Sequence, residues 1–146
     1  MTNEAISQNE RLAIEGLCAS LIGRFALLVD HRRYDELVAL FTPDGVFERP
    51  NAKAEGTDGI LAFMRARPEG IKSRHVCAMP VFETVGRDDA YAVTYVTMFH
   101  GEGADGEAVK ISGIAGVVDF VDRFRRDADG WRIVHHESRI AMIASH

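Results

Sequence analysis

Residues 90–99, AYAVTYVTMF, and residues 112–120, SGIAGVVDF, carry the information that decides the fold. Both segments are rich in β-branched and aromatic residues, and apolar side chains stand at odd and even positions alike. A strand of an antiparallel sheet with one wet face alternates apolar and polar residues. These two do not alternate, so both faces of their sheet need covering. Working outward, Ala90 to His100 reads as one strand and Gly101 to Gly106 as a turn. Val109 to Arg126 reads as a long strand, broken or bulged at Gly113 or Gly116. Asp129-Gly130 turns the chain into a last strand, Trp131 to Ile143. Arg74 to Thr84 is a further strand on the N-terminal side.

Before residue 70 the period changes from 2 to 3.6. Ser7-Gln8-Asn9-Glu10 is a capping box that opens a helix. Ile14, Leu17, Leu21, Phe25 and Leu28 follow at steps of three or four, so this helix runs from about residue 8 to about residue 30. Tyr34, Leu37, Val38 and Phe41 give a short second helix, stopped by the turn Thr42-Pro43-Asp44-Gly45. Val46-Phe47-Glu48 is a short strand. Thr57 or Asp58 caps a third helix through Ile60, Leu61, Phe63 and Met64, ending near Pro68. Helices gathered at one end and long strands at the other indicate an α+β domain. Three helices cover one sheet face, and a homodimer through the other is the simplest way to cover it.

The 146 residues fit one domain, 1–146, with one core. Charged residues make up 27% and the net charge is -5, with both signs interleaved, so nothing favours nucleic acid or an anionic membrane as partner. Apolar runs are too short to suggest a span, and the first ten residues, MTNEAISQNE, lack the basic and apolar regions of a signal peptide. Cys18 and Cys77 are two isolated cysteines among apolar residues, with neither a disulfide framework nor a zinc spacing. Buried thiols in a reducing, cytoplasmic setting are expected. Residues 101–106, GEGADG, match G-x-G-x-x-G by letter. They stand between two strands, so no helix N-terminus is available for a pyrophosphate, and a hairpin turn is the plain reading.

Several local phrases resemble the nuclear-transport-factor-two-like superfamily, and within it the SnoaL-like domains. DHRRYDELVALF (30–41) followed by TPDGVFE is similar to their helix–turn–strand entry. SRHV (73–76) is similar to the strand start that carries a histidine in the dehydratase-like branch. DRF (122–124) with DGWRI (129–133) is similar to their final hairpin. The resemblance covers essentially the whole chain. It implies a cone-like fold, with three N-terminal helices packed on a strongly curved, mostly antiparallel sheet around one apolar pocket. The closest pattern is that of scytalone dehydratase, hexachlorocyclohexane dehydrochlorinase and bile-acid dehydratase. By that resemblance Asp30 and His75 are the catalytic aspartate and histidine, His100 is a second pocket histidine, and Arg139 is a basic residue of the last strand. Those enzymes also place a tyrosine or lysine just before the aspartate; here those positions hold Val29 and Phe25.

The chemistry expected of these residues is proton transfer without a cofactor or metal. A neutral imidazole is the best side-chain base near pH 7, and a carboxylate on one ring nitrogen fixes its tautomer. Such a dyad, Asp30 orienting His75, removes an acidic C–H proton, as a lyase or isomerase requires. Arg139 or Tyr95 is available to face the developing oxyanion. The pocket is expected to be lined by Phe25, Phe47, Phe63, Met64, Met79, Tyr95 and Met98, with Asp119 as a polar element. Flexible and aromatic side chains of this kind suit a small apolar or aromatic cyclic ligand. Each residue also has a plainer role. Asp30 is well placed to cap the second helix, His75 to stand half exposed, His100 to end a solvated strand and Arg139 to lie on the surface. In a regular strand Asp119 and Asp122 face opposite ways, as do His135 and His136. No histidine pair has metal spacing. A binding protein or accessory subunit with the same pocket is the alternative function.

Overall fold

The computed structural model describes residues 5–104 and 106–145. In chain order the elements are α1 (Gln8–Asp30), α2 (Tyr34–Val38), β1 (Phe41–Arg49), β2 (Ala52–Glu55) and α3 (Gly56–Arg65), then β3 (Ile71–Cys77), β4 (Val81–Val85), β5 (Asp89–Glu102), β6 (Gly116–Asp127) and β7 (Gly130–Ile143). One curved, open, mixed sheet of seven strands runs β2-β1-β7-β6-β5-β3, with β4 also paired to β5. Its pairings are antiparallel except β1 with β7. The architecture is the α+β cone expected from the sequence.

Helix α1 starts where the capping box places it, with the Ser7 side chain accepting from the Glu10 N–H at 3.1 Å. Its buried residues are Ile14, Cys18, Ile22, Phe25, Ala26, Leu28 and Val29, so Ile14, Phe25 and Leu28 of the expected stripe face inward, whereas Leu17 is 55% exposed. Each large apolar side chain buried here contributes about 1.5–3 kcal/mol. The helix is long and apolar enough, by length and composition, to cross a membrane, contrary to the sequence reading; its buried face lies on the sheet.

Several boundaries differ from expectation. Phe41 to Gly45 belongs to β1, as an irregular stretch in the pairing with β7, and not to a helix end and turn. Gly45 is needed there for space: a Cβ would lie 2.9 Å from both Phe41 Cδ1 and the Thr42 carbonyl oxygen. Glu55, not Thr57 or Asp58, precedes α3, and it makes no side-chain cap. The strand expected over 74–84 is two, β3 and β4. The strand expected from Val109 begins only at Gly116. Asp105, in the expected hairpin turn, lies outside the described residues.

The last strand carries the feature that matters most for the site. In the β6–β7 ladder Phe124 faces Ile133, but Arg123 faces His135, so Val134 is an extra residue, a bulge. An extra residue reverses the alternation beyond it. Ile133, His136 and Ser138 therefore share the inner face, and His135, Glu137 and Arg139 the outer one.

Candidate active site

The inner face of the sheet, α1, and α3 with the residues after it enclose a cavity of about 350 Å³. Its apolar wall includes Phe25 and Val29 from α1, Phe47 from β1, Phe63 and Met64 from α3, Met98 from β5 and Phe120 from β6. The polar lining is Arg49, Arg67, His75, His100, His136 and Ser138. No carboxylate is among the described lining residues.

Asp30, the last residue of α1, sits behind His75 of β3. The His75 ring Nδ1 lies 2.6 Å from Asp30 Oδ1, the His75 backbone N–H donates to Asp30 Oδ2 at 2.9 Å, and the Ser73 hydroxyl donates to Oδ1 at 2.8 Å. The side chains are 11% and 5% exposed, His75 and Asp30 respectively. Burial would push the Asp30 carboxyl up. The hydrogen bond and charge of His75, its backbone N–H and the Ser73 hydroxyl outweigh this and hold it below the usual carboxylate range. A carboxylate that accepts from several donors assigns the proton between it and the ring to Nδ1, which leaves Nε2 as the basic nitrogen. Asp30 does not cap α2; that position is Arg33, which makes no side-chain cap.

Arg67, just beyond α3, ties the dyad's supports together. It donates to the Val29 carbonyl at 2.9 Å, the Tyr34 hydroxyl at 3.0 Å and the Ser73 hydroxyl at 3.3 Å. His100 lines the cavity yet is exposed, so it stands at the mouth. Partial burial, then His75 and Arg67, lower its pKa against a pull from Asp30.

The structure gathers His75, His100, Phe25, Phe47, Phe63, Met64 and Met98 of the expected site around this cavity. Four others lie elsewhere. Met79 is 87% exposed in the segment between β3 and β4. Tyr95, Asp119 and Arg139 stand opposite one another across β5, β6 and β7, on the outer face. The bulge at Val134 is what turns Arg139 outward, where it donates to Glu137 at 3.0 Å. None of the three can reach a ligand in the cavity. Burial pushes the Cys18 thiol up to about 12; burial, with the charges of Asp30 and Asp122, pushes Cys77 up to about 11, so neither is a ready nucleophile.

A second imidazole–carboxylate pair went unrecognised in the sequence. His136 Nδ1 lies 2.7 Å from Asp122 Oδ1, and both side chains are 1% exposed. The His136 ring packs on Phe25 (centroids 4.2 Å apart), Phe120 (4.6 Å) and Phe47 (5.5 Å). The available signal was an aspartate inside an apolar strand, with two adjacent histidines on the next. Outside, His135 Nε2 lies 2.9 Å from Glu48 Oε2, and with Glu137 these form a group whose ligand atoms lie within 4.8 Å of one another. Glu137 is already paired with Arg139.

Residues 10–137 match the SnoaL-like domain family, and the chain belongs to it. Among solved structures, an NTF2-like protein with a cystatin-like fold from Novosphingobium aromaticivorans is 25% identical, with TM-score 0.73, covering 89% of this chain and 83% of that one. A candidate scytalone dehydratase from the same organism is 18% identical, with TM-score 0.80, covering 96% and 92%. A candidate aromatic ring hydroxylase, also from that organism, is 23% identical, with TM-score 0.75, covering 97% and 95%. None of the curated proteins matches the sequence.

Proposed function

We propose that this SnoaL-like domain is a cofactor-independent lyase or isomerase, in which His75, oriented by Asp30, takes a C–H proton from a small apolar cyclic substrate. The observation that carries this reading is the 2.6 Å contact between His75 Nδ1 and Asp30 Oδ1 on the wall of an apolar cavity. Asp30 fixes the tautomer and stabilises the imidazolium that proton capture creates. The electron pair left on carbon moves into a carbonyl or expels a β leaving group. A lining that holds imidazoles and guanidinium groups but no carboxylate does not oppose the oxyanion that develops.

One observation favours a second reading, a binding protein or accessory subunit with the same cavity. No tyrosine or lysine is among the described lining residues, and Phe25 and Val29 occupy the wall where the related enzymes place one. Two further elements belong to the proposal. The outer sheet face, with Val76, Tyr95 and Met142 exposed, pairs with a second copy of the chain. Free Cys18 and Cys77 suit a reducing compartment such as the cytoplasm.

The test is to incubate the protein with cyclic β-hydroxy and β-halo ketones in D2O and follow α-proton exchange and alkene formation by NMR. Wild-type protein is expected to accelerate one or both, and His75→Ala to lower the rate by at least ~100-fold with the circular-dichroism spectrum unchanged. Asp30→Asn, which removes the charge that stabilises the imidazolium, is expected to cost ~100- to 10,000-fold. Undiminished turnover in His75→Ala would remove this mechanism. Saturable binding with no chemistry would establish the second reading.

A further inference from the structure

We infer that the His136–Asp122 pair is a second ligand-recognising site in the same cavity, where His136 Nε2 takes the hydroxyl of a hydroxylated cyclic ligand. The inference rests on the proposed use of this cavity for a cyclic ligand, but not on proton transfer by His75.

The two nitrogens of His136 have different surroundings. Nδ1 is held by Asp122 at 2.7 Å. Nε2, like Asp122 Oδ2 of the same pair, is buried and has no hydrogen-bond partner among the described residues, and of the two residues only His136 lines the cavity. A buried polar atom without a partner is costly, and native structures seldom keep one for packing alone. The rings of Phe25, Phe47 and Phe120 around the imidazole offer it no conventional hydrogen bond. Asp122 is not in the lining, so the pair runs from the interior of the sheet to the cavity wall and ends on the ring. With the proton on Nδ1, Nε2 of the neutral ring is an acceptor, and what complements it is an O–H. Ser138, two residues on and also in the lining, supplies a second hydroxyl-sized polar group on that wall.

This wall is also placed to work with the first dyad. The Phe120 ring centroid is 5.9 Å from that of His75 and 4.6 Å from that of His136, so both imidazoles pack on one phenyl ring. A flat ligand over Phe120 that presents a C–H to His75 would present its oxygen to His136. The ligand class is therefore a ring compound with a hydroxyl or enol, not a bare hydrocarbon.

The experiment uses 2-naphthol and naphthalene with wild-type protein carrying ¹⁵N-labelled histidine. Addition of 2-naphthol is expected to shift the His136 Nε2 resonance, and naphthalene to leave it in place. By titration, 2-naphthol is expected to bind roughly 3- to 10-fold more tightly than naphthalene. His136→Asn, whose amide nitrogen keeps the place of Nδ1 against Asp122 and removes Nε2, is expected to abolish that preference. His75→Asn is expected to retain it. An unmoved His136 resonance in wild-type protein, or a preference lost only in His75→Asn, overturns the inference and leaves the proposed mechanism standing. If neither compound binds, the apolar-ligand reading of the cavity falls, and this inference with it.

Discussion

The His100 imidazole at the cavity mouth is biased towards its neutral form by partial burial and by the charges of His75 and Arg67. By NMR titration it is expected to lose its charge below the ordinary histidine value of 6.5. Because the folded-state pKa is lowered, the unfolded chain binds more protons in the window below 6.5. The contribution to stability is complete above that pH and is lost as pH falls through the folded-state pKa. His100→Gln should therefore flatten the acid-side fall of the unfolding midpoint; identical slopes in the two proteins would contradict this. At this scale the Asp30–His75 pair is legible in the sequence, because each residue sits in a recognisable local phrase. The His136–Asp122 pair is not. Its two members are separated by a hairpin and a bulge, and alternation alone cannot say which of two adjacent histidines turns inward.

Elements with strong periodicity are legible and irregular ones are not. Helix α1 lies where its capping box and its spacing of apolar residues put it. Strand β1 does not, because Thr42-Pro43-Asp44-Gly45 has the composition of a turn but runs as a distorted strand beside β7. Long-range pairing overrides local propensity there. Gly45 is the residue that permits it, and Gly45→Ala is expected to destabilise the fold by about 1–3 kcal/mol, since the new methyl meets Phe41, which is 1% exposed, and a backbone carbonyl. Urea unfolding measures this, and a change below the error of the midpoint would show that the strand relaxes around the methyl. In β7 the bulge at Val134 explains why Arg139 is legible as a basic residue of the last strand, yet lies on the other side of the sheet from the cavity.

For the whole molecule, AYAVTYVTMF and the GVVDF part of SGIAGVVDF are strand as expected, and on the inner side Ala92, Val96, Val118 and Phe120 enter the core; residues 112–115 precede β6. The outer side carries Val76, Thr97, Val117 and Met142 in one row across β3, β5, β6 and β7, and Val76 and Met142 are largely exposed. A second subunit on this row is expected to make the protein a dimer at micromolar concentration by sedimentation velocity. Val76→Glu with Met142→Glu is expected to give monomers that keep the cavity. A monomeric wild-type protein would refute the dimer. The strand order across the sheet is not legible from one sequence, because it depends on pairings between distant segments. The bulge in β7 ties the two sides of this sheet together. One inserted residue decides at a stroke that His136 and Ser138 face the cavity and that His135, Glu137 and Arg139 face the opposite side of the sheet. A one-residue change of register within that strand would exchange the two sets of side chains, so what lines the cavity and what the far side of the sheet displays are set together.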